Sequence, residues 1–245
     1  MQPIFVGGYL KCGTSVLASM LCSGNDVNPM IGEVVHLNGI VTNYRVGLEL
    51  FDLHSRDYFD DRAQLKEFCA AETVRFLEMT HARYGNPKFL VLKYPQMTRL
   101  FPFLHQLLPE AKFVISLRDP RDGVASAVVS QRKGAPEFAN ASAGQIAESL
   151  TEAYMRCLLC PETSFCEKTI YLKYECLATI SRRRSINWNA LQASISPVST
   201  LTMPRPGRVG AEYGNPATAT DIQRITWPGD IFRPRWTICR NVERR

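Results

Sequence analysis

Apolar and polar positions alternate in blocks along the first 180 residues, each block about the length of one secondary-structure element. Residues 3 to 8 (PIFVGG) form a short apolar run closed by two glycines, the pattern of a parallel strand buried on both faces. After a loop, Val16, Leu17, Met20 and Leu21 share one face of a helix, spaced to pack back onto that strand. Asp60 or Asp61 is placed to cap a longer helix through Leu65, Phe68, Val74, Phe76 and Leu77, which Gly85 would stop. The strand FLVLKYP follows, then a helical stretch from Thr98 to Leu108, then the strand KFVISL at residues 112 to 117. Asp119 and Pro120 restart a helix, Asp as its cap and Pro at the first helical position. Residues 145 to 160 predict a further helix, and TIYLKYE, residues 169 to 175, a further strand.

Strands alternating with helices predict an α/β fold: a mostly parallel sheet flanked by helices on both faces, joined by right-handed crossovers. In such sheets ligands bind at the carboxyl ends of the strands. The pattern fades after residue 181. Residues 1 to 181 are therefore expected to form the α/β domain, and residues 182 to 245 an irregular, Pro-rich tail holding six of the 15 prolines.

Charge sharpens this division. The tail carries 11 Arg, no Lys and four acidic residues, whereas the first 181 residues carry 18 basic and 19 acidic ones, so the net +6 lies wholly in the tail. No apolar run approaches the roughly 20 residues of a membrane span. The chain opens on Ile4 to Val6 without a basic leader, so neither a signal peptide nor a membrane is expected and the cytoplasm is the simplest address. No nucleic-acid partner is expected either. The eight cysteines read as reduced thiols. Of these, Cys157, Cys160, Cys166 and Cys176 cluster, but the CxxC lies in an apolar helical stretch with no second pair, which favours buried helix thiols over zinc.

The candidate chemistry begins at GGYLKCGTSV. Gly8 and Gly13 stand in GxxxxG spacing between a strand and a helix, where glycines let backbone N–H groups turn toward an anion and the helix N-terminus adds partial positive charge. A Walker A loop would place Lys after the second glycine; here Thr14 and Ser15 follow it, and the only lysine is Lys11 within the loop. A second anion site is expected at LRDPRDGVAS, where Arg118 closes a strand and Ser126 follows on the next helix, a guanidinium fork and a hydroxyl suited to one dianion.

GGYLKCGTSVLASML resembles the 5'-phosphosulfate loop of the sulfotransferases that use 3'-phosphoadenosine 5'-phosphosulfate (PAPS), whose usual form is G-x-[PV]-[RK]-S-G-T-[TS]. Lys11 takes the basic position, Gly13, Thr14 and Ser15 match, and Cys12 replaces the usual Ser. The eight-residue spacing of Arg118 and Ser126 is similar to that family's 3'-phosphate motif, and Tyr174 in YLKYECL resembles the tyrosine of its Y-E-D-L segment, which lies against adenosine. The resemblance implies a P-loop-like sulfotransferase binding PAPS through Lys11, Cys12, Gly13, Thr14, Ser15, Val16, Arg118, Ser126 and Tyr174, with no metal. Lys11 would neutralise the departing 5'-phosphate, and Lys93, resembling the lysine of the family's K-x-P, would stabilise the transition state.

For the base, Lys93-Tyr94-Pro95 lacks the histidine of the cytosolic type. Gly32-Glu33 resembles instead the Gly-Glu pair of tyrosylprotein, carbohydrate and bacterial types, which makes Glu33 the base and His36 the second candidate. The tail segment RPGRVGAEYGN matches the cytosolic R-K-G-x-x-G lid only at Arg205 and Gly207. The acceptor hydroxyl, on a glycan, a protein tyrosine or a small alcohol, would meet loops such as residues 34 to 60; its identity and the oligomeric state are not legible. Two rivals stand beside this reading: a P-loop kinase or NTPase, in which Asp119 would hold magnesium, and a non-catalytic nucleotide-binding relative, suggested by Cys12 and the tail.

Overall fold

The computed structural model describes residues 1–175 and 177; the proposed tail at 182 to 245, with Arg205 and Gly207, lies outside them. Four strands form one parallel sheet in the order β2-β1-β3-β4: β1 (Gln2–Gly8), β2 (Phe89–Lys93), β3 (Lys112–Leu117) and β4 (Thr169–Lys173). β1 is central, pairing with β2 from Gln2↔Phe89 to Val6↔Lys93 and with β3 from Ile4↔Lys112 to Gly8↔Ser116. Both strands are buried almost end to end, as expected where helices cover both faces of a parallel sheet. The fold is the α/β architecture that the blocks of apolar residues predict.

Beneath the sheet the core is largely aromatic. Phe113 of β3 lies 5.9 Å from Phe5, 4.9 Å from Phe101 and 5.2 Å from Phe165, ring centre to ring centre. Tilted and offset contacts at these distances add to the area term of burial.

The helices start and stop for local reasons. α1 (Thr14–Leu21) follows the glycine loop directly, and α2 (Val35–Glu49) precedes α3 (Arg62–Arg83). The Asp61 carboxylate accepts the Gln64 amide at 2.8 Å to cap α3, and Gly85 ends it at φ 78°. α4 (Phe101–Leu107) leads into β3. Asp119 caps α5 (Pro120–Arg132), accepting the Arg121 amide at 2.9 Å. Ser142 and Gln145 form a reciprocal capping box at the start of α6 (Ala143–Leu158), and α7 (Thr163–Glu167) precedes β4.

Several expectations shift. On α1 the buried face is Thr14, Leu17, Ala18 and Leu21, so Val16 is 44% exposed and Ala18 takes its place. On α3, Leu65, Cys69, Thr73 and Leu77 face inward while Phe68 and Val74 are exposed. The helix expected from Thr98 to Leu108 divides into a 3₁₀ segment (Pro95–Leu100) and α4. Pro102 stands in the first turn of α4, where its missing N–H costs nothing. Residues 34 to 60, expected as loops, hold the 15-residue α2. The last strand ends at Lys173, so Tyr174 begins a helical turn instead of continuing it. Among the described residues no helix is long and apolar enough to cross a membrane.

Candidate active site at the carboxyl ends of the strands

From β1 the chain crosses to β2 on one side, and from β3 it crosses to β4 on the other. The switch point of the sheet therefore lies between the carboxyl ends of β1 and β3, the place where parallel α/β sheets leave a crevice. The glycine loop leaves one of these ends and Arg118 leaves the other.

The loop is shaped by three left-handed positions: Gly8 at φ 148°, Lys11 at φ 67° and Gly13 at φ 80°. Gly13 has no freedom to be anything else, because a Cβ there would stand 2.3 Å from Cδ2 of Tyr174. The carbonyls on the back of the loop are held from β3: the Ser116 hydroxyl donates to the Cys12 oxygen, and Arg118 Nη1 donates to the Lys11 oxygen at 2.7 Å. The Tyr154 hydroxyl, reaching in from α6, accepts the Tyr9 amide at 3.2 Å and donates to the Ser116 oxygen at 2.9 Å. Thr98 Oγ1 accepts the Gly8 amide at 2.7 Å. With the carbonyls turned back, the amides of residues 13 to 16 donate to no carbonyl among the described residues, and Gly13 caps α1 without a side-chain bond. Free amides at a helix N-terminus form a ready anion cradle.

Cys12 does not face this cradle. Its side chain is fully buried, and burial pushes the thiol pKa up. The residue can offer an anion only its backbone, so the exchange of Ser for Cys removes no side-chain contact from the cradle itself.

Arg118 stacks on Tyr174, its guanidinium carbon 4.7 Å from the ring centre, and its Nε is buried without a partner. A cationic donor left unbonded in this way is costly unless a ligand completes it. Ser126 stands half-buried on α5, the helix that begins just after Arg118, and its hydroxyl makes no hydrogen bond among the described residues.

A second charged group lies on the other flank of the loop. Lys93, 9% exposed at the end of β2, donates to Glu33 Oε1 at 2.7 Å and to Ser15 Oγ at 3.3 Å. The backbone fixes this meeting, since the Val34 amide donates to the Lys93 oxygen at 3.1 Å. Glu33 itself remains 39% exposed, reachable by a second substrate. His36 projects from the first turn of α2 against Phe76, 5.3 Å between ring centres, and is exposed. Lys11 points to the outer surface, 3.9 Å from Glu137, a pair too open and too long to hold it firmly.

Asp119 has both oxygens engaged by Arg121, whose hydrogen bond chiefly holds the carboxyl below its ordinary range. In the cysteine cluster Cys157 donates its thiol to the Thr98 oxygen at 3.1 Å, the behaviour of a buried helix thiol, and Cys176 lies outside the described residues. Thr98, Ser116 and Tyr154, which shape the loop, were not singled out from the sequence. A polar residue inside an otherwise apolar strand or helix face, as Ser116 is in KFVISL, is the available signal.

A parallel α/β sheet with free helix-start amides at its switch point, an arginine beside them and a Lys–Glu pair on their flank is the arrangement of α/β proteins suited to phosphate-like groups. Within that class, the model of the sulfotransferase family matches residues 3–179, and the chain belongs to that family. Two solved structures share the fold. The sulfotransferase domain from the curacin biosynthetic pathway is 14% identical over 79% of this chain and 73% of its own length, with a TM-score of 0.50. The sulfotransferase domain from the Synechococcus PCC 7002 olefin synthase is 16% identical over 100% of this chain and 95% of its own, also with a TM-score of 0.50. No curated protein matches the chain.

Proposed function

We propose that this sulfotransferase takes its sulfuryl group from PAPS and delivers it to an acceptor hydroxyl without a metal ion, with Glu33 as the base. The observation that carries this reading is the Lys93 ammonium, bonded at once to Glu33 and to Ser15 of the loop. It links the anion cradle to a carboxylate that solvent and substrate can reach.

The donor's two anionic ends find two sets of residues. The free amides of residues 13 to 16, with Ser15, suit the 5'-phosphosulfate, and Lys11 joins them only by turning in from its loose pair with Glu137; Arg118 and Ser126 suit the 3'-phosphate. Tyr174, between Gly13 and Arg118, suits the nucleoside. Cys12 and Val16 contribute backbone alone. PAPS supplies an activated sulfuryl group on a good leaving phosphate. The acceptor oxygen bonds to sulfur as the sulfur–oxygen bond to the 5'-phosphate breaks, and the hydroxyl proton passes to Glu33. Lys93 orients the Glu33 carboxylate through their hydrogen bond and offers its charge where the leaving oxygen becomes negative. Glu33 outranks His36 because it is the group bonded to Lys93. Glycan, protein tyrosine and small alcohol each fit an exposed carboxylate, and reduced thiols fit the cytoplasm.

The test is a thermal shift with adenosine 3',5'-bisphosphate against ATP plus magnesium, followed by transfer of labelled sulfate from PAPS to mixed acceptors. Stabilisation by the bisphosphate and label in the acceptor are expected. Preference for ATP and magnesium overturns the donor, and tight bisphosphate binding without transfer makes the chain a non-catalytic relative.

A further inference from the structure

Three arginines from three separate elements converge on one cleft away from the strand ends. Arg45 of α2, Arg99 of the 3₁₀ segment after β2 and Arg156 of α6 line a space of about 130 Å³ together with Thr42, Leu100 and Glu152. Gathering like charges is unfavourable unless something answers them. Arg45 is answered from its own helix by Glu49 at 2.6 Å, and Arg156 from its own helix by Glu152 at 3.2 Å. Both are partly exposed i,i+4 pairs, weak enough for a better acceptor to displace. Arg99 is exposed and has neither hydrogen bond nor ion pair among the described residues. Even with Glu49 counted, one guanidinium is left over, and planar forks of this kind complement oxyanions.

We propose that this cleft binds an oxyanion, and that the oxyanion is a phosphate, sulfate or carboxylate borne by the acceptor. The second half of this statement rests on the sulfuryl-transfer reading above. Its support is placement. α2 begins two residues after Glu33, and at 1.5 Å per residue Thr42 and Arg45 lie about 10 and 15 Å along it. The 3₁₀ segment that carries Arg99 begins two residues after Lys93. The Glu33–Lys93 pair and the arginine cleft are thus joined by the same two elements. An acceptor with its hydroxyl at Glu33 and an anion on the order of 10–15 Å away spans both, which selects acidic, extended acceptors over small neutral alcohols.

The full chain is first saturated with adenosine 3',5'-bisphosphate, so that the donor cradle is filled, and then titrated with inorganic phosphate while the arginine NεH resonances are followed by NMR. A saturable shift is expected, weakened at least tenfold in Arg99→Gln and unchanged in Arg83→Gln, an exposed arginine on another helix. No saturable shift, or equal weakening in both variants, overturns the site. Decane-1,10-diol monophosphate separates the two sources of the anion: binding tighter than that of inorganic phosphate and sensitive to Arg99→Gln assigns the cleft to the acceptor, while equal affinity for the two overturns that assignment and leaves a site for free oxyanion. Failure of the bisphosphate to bind counts against the donor reading alone, because the phosphate titration judges the cleft without it.

Discussion

Two nitrogens among the described residues are buried without a partner, Arg118 Nε and His105 Nδ1, and they lie at opposite ends of β3. Arg118 follows the carboxyl end of the strand. His105, on α4, packs against Phe113 near its amino end, 6.2 Å between ring centres, and against Phe165 at 5.7 Å. The same kind of orphan atom means different things in the two places. At the carboxyl end, loops diverge and leave a crevice, and the guanidinium beside it is held by the Lys11 oxygen and the Tyr174 ring. At the amino end, aromatic packing closes over the imidazole, its Nε2 bonds Ser164 Oγ at 2.9 Å, and burial lowers its pKa. One end of the strand holds a permanent charge beside a crevice, and the other keeps an imidazole under aromatic rings.

The sharpest way to break this contrast is at Gly13. Gly13→Ala forces a Cβ into the Tyr174 ring and a side chain into a left-handed backbone, which is expected to cost about 2–4 kcal/mol of stability. Adding Tyr174→Ala should recover the steric share and leave the backbone share. Denaturant unfolding of the two variants measures this, and an unaltered midpoint in Gly13→Ala would show that the loop is not held as described.

Glu33→Gln comes next. It should spare bisphosphate binding and lower turnover by about 100-fold, as followed by labelled sulfate; full activity would pass the role of base to His36. Arg118→Ala should weaken adenosine 3',5'-bisphosphate by about 1.5–3 kcal/mol, read by calorimetry. Unchanged affinity there would place the spare nitrogen outside the donor site.

The smallest effect belongs to the amino end. Burial is the main cause of the lowered His105 pKa; Lys168 and Lys66 push the same way, and Glu162 and Glu110 push back. A histidine held neutral by the fold stabilises it fully above the unfolded value of 6.5, and that contribution is lost as pH falls from 6.5 toward the lower folded value. The melting temperature of the wild type should therefore decline below about pH 6.5 more steeply than that of His105→Phe. Parallel slopes for the two proteins would mean that the imidazole is already charged in its aromatic box.

Much of this was legible one element at a time. Strands β1, β2 and β3 are short apolar runs whose neighbours cannot extend them, and Asp61, Asp119 and Gly85 mark helix ends through groups they carry themselves. α2 was not. It buries Leu37, Val41 and Tyr44 at helical spacing, but its interior holds Gly39 and Gly47 and its cap is Val34, which offers no side-chain bond. Packing against α3 and the 3₁₀ segment, instead of local propensity, makes it a helix. The faces of α1 and α3 were misjudged for a related reason: spacing marks a stripe, but which edge of the stripe turns inward depends on what lies opposite.

By itself, the sequence determined the order of the strands, the parallel sheet and the loop after its first strand, because each depends on periodicity, turns and glycines within a few residues. It also supplied Arg118, Lys93 and Glu33 as separate candidates. Only the tertiary structure decided that Lys93 joins Glu33 to Ser15, that Cys12 turns its thiol away from the cradle, and that three arginines meet in one cleft. These are contacts between residues far apart in the chain, and strand order and helix packing set them, whereas one-dimensional spacing carries no record of either.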